Sequence, residues 1–203
     1  MIHLIYDTET NGLPIDYKAH VHEVDNWPRV VQLAWMLVDD SDWITLTSRN
    51  RIIKPGFDVL NNCNEWEIPA DCAELHGITT ERAINEGDDI KIALAEFAVA
   101  QNIADVQVGH NVNFDRKNVG AEFIRAEMED AYEFAKNMQR YCTMFKSTKL
   151  CGLRNKRGGL KWPTLQELHF TLFLDEFDGS HNALADVQAT GKCYQELIKR
   201  GVI

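Results

Sequence analysis

The 203-residue sequence has no apolar run long enough to cross a bilayer. Its longest apolar stretches, such as 30–38, fall far short of the ~20 residues that a membrane helix requires. Nor does the chain open on a charged-then-apolar signal segment, because Ile2-His3-Leu4-Ile5-Tyr6 runs straight into Asp7. A cytoplasmic location with no membrane partner is the expectation. No Cys-x-x-Cys pair occurs among the five cysteines, Cys63, Cys72, Cys142, Cys151 and Cys193. Their odd number and scattered spacing argue against a zinc site of the usual kind and against a disulfide framework. No internal repeat, low-complexity tract or linker interrupts the chain, so residues 1–203 are expected to form one domain, long enough for a substantial core.

Positive charge is scarce as well. Lys and Arg number 21 against 31 Asp and Glu, for a net charge of −10. An acidic protein of this kind is excluded from tight, sequence-indifferent coating of nucleic acid. Negative charge, however, is missing from one segment: no Asp or Glu lies between Phe134 and Gln166. That segment carries Lys136, Arg140, Lys146, Lys149, Arg154, Lys156, Arg157 and Lys161, a charge of +8, which leaves −18 on everything else. Charge segregated in this way reads as a local phosphate-facing patch on a body that repels polyanions, with a solvated loop as the alternative.

Hydrophobic patterning places strands first and helices after. Ile2–Tyr6 reads as a buried strand, and 30–38 and 43–53 as two strands joined by an acidic hairpin turn at 39–42. The polar piece 15–28 reads as an excursion outside the core. Helical patterns follow at 69–76, near 79–82 and at 88–101, then a short strand at 106–108 and a helix at about 113–127. Pro163 reads as a first-turn proline of another helix, and about 182–200 as the last helix, with Leu184, Val187, Gly191, Tyr194 and Ile198 on one face. The order implies an α/β fold, a mixed sheet flanked by helices.

The chemistry-bearing residues lie at the edges of these elements. Asp7 and Glu9 stand two residues apart at the end of a buried strand, so both side chains reach one side. Two acids there are costly without cations or other partners. Asp115 sits at the start of a helical pattern, where an acid also favours the helix dipole. Asp186 lies beside apolar Leu184 and Val187 in the last helix. His181 precedes that helix, five residues ahead of Asp186, where a histidine suits a general base. His20 and His22 lack supporting ligands and read as solvated.

Three segments resemble the motifs of the DEDDh 3′-to-5′ exonucleases: Asp7-x-Glu9, His110-Asn111-x-x-Phe114-Asp115 and His181-x-Ala183-x-x-Asp186. Their order and separations span essentially the whole chain. The resemblance implies an RNase H-like fold with a central mixed five-stranded sheet. It implies two divalent cations, Mg2+ or Mn2+, about 3.5–4 Å apart. Asp7 would bridge both; Glu9 and Asp186 would bind the cation that activates water; Asp115 would hold the second, largely through water; His181 would take the proton. By the same resemblance Thr10, Leu13, Asp71 and His76 would contact the 3′-terminal nucleotide. The implied activity is release of nucleoside monophosphates from the 3′ end of single-stranded or frayed DNA, in proofreading or repair and with a DNA polymerase as a conceivable partner. An exoribonuclease of the oligoribonuclease or RNase T kind shares the chemistry, and a noncatalytic nucleic-acid-binding module is a third reading. Two segments depart from the family: 15–28 is longer than the usual connection, and 150–163 is a basic, glycine-containing loop. No polymerase-docking tail is evident after the last helix.

Overall fold

Side-chain alternation along the first strand divides the molecule into two sides. The computed structural model describes residues 1–58 and 63–203. In chain order the strands are β1 (Ile2–Thr10), β2 (Val30–Asp39), β3 (Ile44–Ile52), β4 (Phe57–Asp58), β5 (Cys63–Asn64), β6 (Val106–Gly109) and β7 (Gln139–Cys142). The helices are α1 (Ala70–His76), α2 (Thr80–Glu86), α3 (Ile90–Ile103), α4 (Val112–Arg125), α5 (Glu129–Asn137), α6 (Thr143–Cys151), α7 (Leu165–Phe173) and α8 (Ala183–Lys199). Five strands form one sheet in the order β3-β2-β1-β6-β7. β1, β2 and β3 pair antiparallel, whereas β6 and β7 add in parallel. The expected mixed five-stranded α/β sheet is therefore present, with β1 at its centre.

Leu4 and Tyr6 face one side, where Leu33, Trp35, Phe97 of α3 and Phe123 of α4 complete the larger core. Tyr6 and Trp35 each meet Phe97 edge-on, at 5.2 and 5.4 Å between ring centroids. Ile5 faces the other side and packs with Ala34, Met36, Ala183, Val187 and Tyr194 under α8. Gly191 faces the sheet, where a Cβ would meet the flexible end of Met36 and lie 3.3 Å from Ile5 Cδ1. Among the described residues no helix is long and apolar enough to cross a membrane.

The structure departs from the sequence reading in four places. The first strand continues past Tyr6 to Thr10, so Asp7 and Glu9 lie inside it. α5, β7 and α6 occupy a stretch in which the sequence reading places no element, although α5 is amphipathic, with Tyr132 and Ala135 buried; β7 is four residues long, with Gln139 and Arg140 exposed. Pro163 precedes the helix instead of opening it, because Thr164 is the N-cap of α7 in a capping box with Glu167.

Segment 15–28 is the fourth. Val21 and Trp27 are buried in the larger core. Two cations of α4 fasten the segment: Lys117 Nζ donates to the Tyr17 carbonyl and lies 4.8 Å over the Trp27 ring, and Arg125 Nη2 donates to the carbonyls of Val24 and Trp27. A polar composition hid two anchors that only a neighbouring helix reveals. Trp27→Ala should therefore cost about 3–5 kcal/mol in chemical denaturation; a loss below ~0.5 kcal/mol, usual for a surface site, would return the segment to the periphery.

Candidate active site

Beyond Ile5 the parallel partner β6 no longer pairs with β1, while β2 continues alongside as far as Val30. The end of β1 thus has main-chain groups on one edge that no strand pairs, and acids on one face. Thr8 points opposite to Asp7 and Glu9. Its backbone N–H and its hydroxyl both donate to Asp115 Oδ1, at 3.1 and 2.8 Å. Asp115 comes from the first turn of α4, which starts tightly after β6. A Cβ on Gly109 would press on Val112 and the Tyr6 carbonyl, and Asn111 takes a left-handed φ of 75°.

Asp186 arrives from the opposite side, in the first turn of α8. Asn182 caps that helix by accepting from the N–H groups of Leu184 and Ala185. His181 stands just before the cap with φ 66°, and its backbone N–H donates to Asp186 Oδ2 at 3.0 Å. Gln32 fixes the same helix end. It is directly opposite Glu9 in the β1–β2 register, is buried, and accepts the Ala183 N–H at 3.1 Å through Oε1. Its Nε2 is held in turn by Asn50 at 2.9 Å.

Oxygens of Asp7, Glu9 and Asp186 consequently lie within 4.8 Å of one another, with Asp115 behind them on Thr8. Among the described residues no Lys, Arg or His side chain forms an ion pair with any of the four. Burial, and then the neighbouring carboxylates Asp115, Asp186 and Glu9, push Asp7 well above the usual carboxylate range. Burial followed by Asp186 and Asp115 raises Glu9 to about 8. Burial raises Asp115 to about 7 although the Thr8 hydrogen bonds oppose it, and Asp186 to about 6 against the His181 backbone N–H and ring. Four acids that repel one another and lack a cation form an all-oxygen donor set, which suits a hard divalent cation better than zinc.

A family model described as Exonuclease matches residues 4–194. The chain belongs to the exonuclease family. No curated protein is similar enough to this family member to count as a relative. Among solved structures, Escherichia coli exonuclease I in complex with a dT13 oligonucleotide is similar with a TM-score of 0.74 and 19% identity, over 98% of this chain and 41% of that one. Its complex with a dA16 oligonucleotide gives 0.72 and 18% over 98% and 41%, and a zinc-bound form of the complex with single-stranded DNA gives 0.70 and 19% over 98% and 40%. At that identity the likeness is one of fold, the RNase H-like fold of the exonucleases. This exonuclease-family chain spans about two fifths of the length of those proteins.

The remaining expected residues divide into near and far. His76 is buried; its Nδ1 accepts from the Ile78 N–H at 3.2 Å, and among the described residues its Nε2 meets no partner in good hydrogen-bond geometry. It lies close enough to the Thr10 backbone and to His181 for both to act on a ring that burial holds below the ordinary histidine pKa. The Thr10 hydroxyl is spent on the Gly12 carbonyl at 2.7 Å. Leu13 is exposed, and Asp71 is exposed with its carboxylate accepting the N–H of the next residue, Cys72; neither joins the acidic cluster. Two positioning residues escaped the motif reading. Gln32 announced itself as a polar residue inside the apolar run of β2. Thr8 announced itself only through strand alternation.

His110 ties this end of the sheet to the basic segment. The Pro163 carbonyl accepts from His110 Nε2 at 3.0 Å, so in the neutral ring Nδ1 accepts from the Thr143 hydroxyl, also at 3.0 Å. Burial lowers the pKa of this ring to about 4.

Because the folded pKa values of the four acids are raised, the metal-free folded state binds more protons than the unfolded chain between about pH 4 and pH 8. Its stability should fall as pH rises through that window. Thermal melts in EDTA should give a lower Tm at pH 8.5 than at pH 6. Asp7→Asn should raise the pH 8.5 value by about 1–2 kcal/mol, or about 2–8 °C. A Tm in EDTA that is independent of pH, or lower in the variant at pH 8.5, would contradict this mutual repulsion.

Proposed function

We propose that this chain, as one domain over residues 1–203, is a metal-dependent 3′-to-5′ exonuclease that releases nucleoside monophosphates from single-stranded or frayed DNA. The observation that carries the reading is the largely buried group of four carboxylates with raised pKa values and, among the described residues, no ion-paired Lys or Arg, beside an exposed histidine at a helix entry. DNA is preferred because the similar Escherichia coli exonuclease I structures hold DNA oligonucleotides.

Asp7, Glu9 and Asp186 would hold divalent cations, Mg2+ or Mn2+, with Asp115 contributing from its fixed position on Thr8. Such cations, when bound, acidify water and offset charge on the phosphoryl oxygens. His181 accepts the proton of the attacking water on an imidazole nitrogen. The water oxygen bonds to the terminal phosphorus as the bond to the 3′-oxygen of the preceding nucleotide breaks, and that oxygen is protonated by solvent. The left-handed turn at His181 holds the residue at the rim while its own N–H anchors Asp186. His76, buried beside the Thr10 backbone, would bind the terminal nucleotide through Nε2. Leu13, exposed on the turn after β1, would lie against its base, and Asp71 would serve at the outer edge.

The test is incubation with 5′-labelled single-stranded DNA and matched RNA, in Mg2+ or Mn2+ and in EDTA. A metal-dependent ladder that shortens from the 3′ end is expected, faster on DNA. Asp7→Ala and Asp186→Ala should abolish it while the proteins remain folded. Preference for RNA would move the assignment to the exoribonuclease reading. Failure to cleave either strand would favour the noncatalytic one. His181→Ala should lower kcat about 10²–10⁴-fold with a smaller change in KM; an unaltered kcat across pH would remove His181 from the base role.

A further inference from the structure

Within the acid-free segment, residues 143–163 form a folded arm with both ends fastened at the active-site end of the sheet. One end is Thr143 at the start of α6 and the other is Pro163, and His110 bonds to both, five residues before Asp115. Between them, Leu153–Lys161 closes as a hairpin. Arg154 bridges Leu160, the Asn155 N–H donates to the Gly159 carbonyl at 2.9 Å, and the Lys161 N–H to the Leu153 carbonyl at 2.8 Å. Gly158 supplies the left-handed turn with φ 84°. Lys156 and Arg157 stand exposed at its tip.

Two independent features mark this arm's surface. The first is aromatic. Trp162 is 61% exposed and Phe145 39% exposed, and the two meet edge-on at 5.1 Å and 78°. The contact orients the indole while leaving a face open. The second is electrostatic. Lys146, Lys149, Arg154, Lys156 and Arg157 form no ion pair among the described residues, although the rest of the chain is rich in acids. Lys149 lies one helical turn from Phe145, on the same face of α6. Open rings accept the π-faces of unstacked bases, and flanking unpaired cations accept phosphates; this pairing of features distinguishes single-strand binding from a protein-docking patch.

We propose that Phe145 and Trp162, with Lys149, Lys156 and Arg157, form a binding subsite for the bases and phosphates of a single strand upstream of its 3′ end. The proposal rests on the exonuclease reading, in which that end occupies the carboxylate cluster. The arm then acts as the strand-holding element of a body whose remaining charge repels polyanions, and its attachment through His110 sets the distance from subsite to scissile bond.

The test measures binding of labelled dT oligonucleotides of 2 to 20 nucleotides in EDTA, where hydrolysis is absent, at several salt concentrations. Wild-type affinity should rise with length. Trp162→Ala should weaken binding of the longer strands about 5- to 150-fold, leaving the salt dependence intact. Trp162→Phe should restore most of the loss, which a folding defect at this position would not allow. Lys156→Glu with Arg157→Glu should instead reduce the salt slope, by about 0.7 for each phosphate that is no longer neutralised. Equal affinities for wild type and Trp162→Ala at every length would overturn the proposal. Cleavage assays in Mg2+ separate the two readings: normal cleavage with no arm effect on affinity removes the subsite alone, whereas arm-dependent affinity without cleavage keeps the subsite and removes the nuclease.

Discussion

Mutual repulsion among Asp7, Glu9, Asp115 and Asp186 at the end of the central strand is the constraint around which this structure is arranged. Burial drives each acid toward its protonated form, and neighbouring carboxylates add to it at Asp7, Glu9 and Asp115. A chain left to minimise its own energy would splay them apart. They are held because they are carried by three rigid elements whose other faces are committed elsewhere. β1 buries Leu4, Ile5 and Tyr6, α4 buries Val119 and Phe123, and α8 buries Val187, Tyr194 and Leu197. Burying each such side chain contributes about 1.5–3 kcal/mol, enough to keep the converging ends in place.

The polar residues around the acids turn this coarse placement into a defined one. Thr8 gives Asp115 two donors, one from the strand edge that β6 leaves unpaired and one from its own hydroxyl. Gln32, opposite Glu9, reaches across to the first turn of α8, and the His181 N–H closes on Asp186. These bonds fix where the carboxylates sit while leaving their cation-facing oxygens uncommitted. The cluster is therefore shaped in advance and electrostatically unsatisfied, the condition in which cation binding gains most.

The charge distribution follows the same logic at longer range. An acidic body would repel a polyanionic strand, so approach to the cluster has to be local. In the proposed subsite the basic arm would supply that locality, and His110 joins it to the turn that opens α4. The carboxylate cluster and the proposed subsite are thus separate places in the fold, joined through the His110 hydrogen bonds to Thr143 and Pro163.

Much of this was legible in the residues themselves. Asp7 and Glu9 at the end of an apolar strand, Asp115 opening a helical pattern and His181 before Asp186 all fall at edges of periodic runs, where a local signal is strongest. The acid-free segment needed only its composition. Other features had no local signal: β7 is too short and polar to show alternation, and Val21 and Trp27 are scattered among polar and charged residues. Side-chain type and period are local properties, so the residues alone dictate which chemistry the chain carries and on which kinds of element. Folding was needed to bring Thr8 to Asp115 across 107 positions and Gln32 to Ala183 across 151, and to fasten the arm at His110. Those meetings depend on sheet order and helix packing, which are set by the whole core at once and by no single segment.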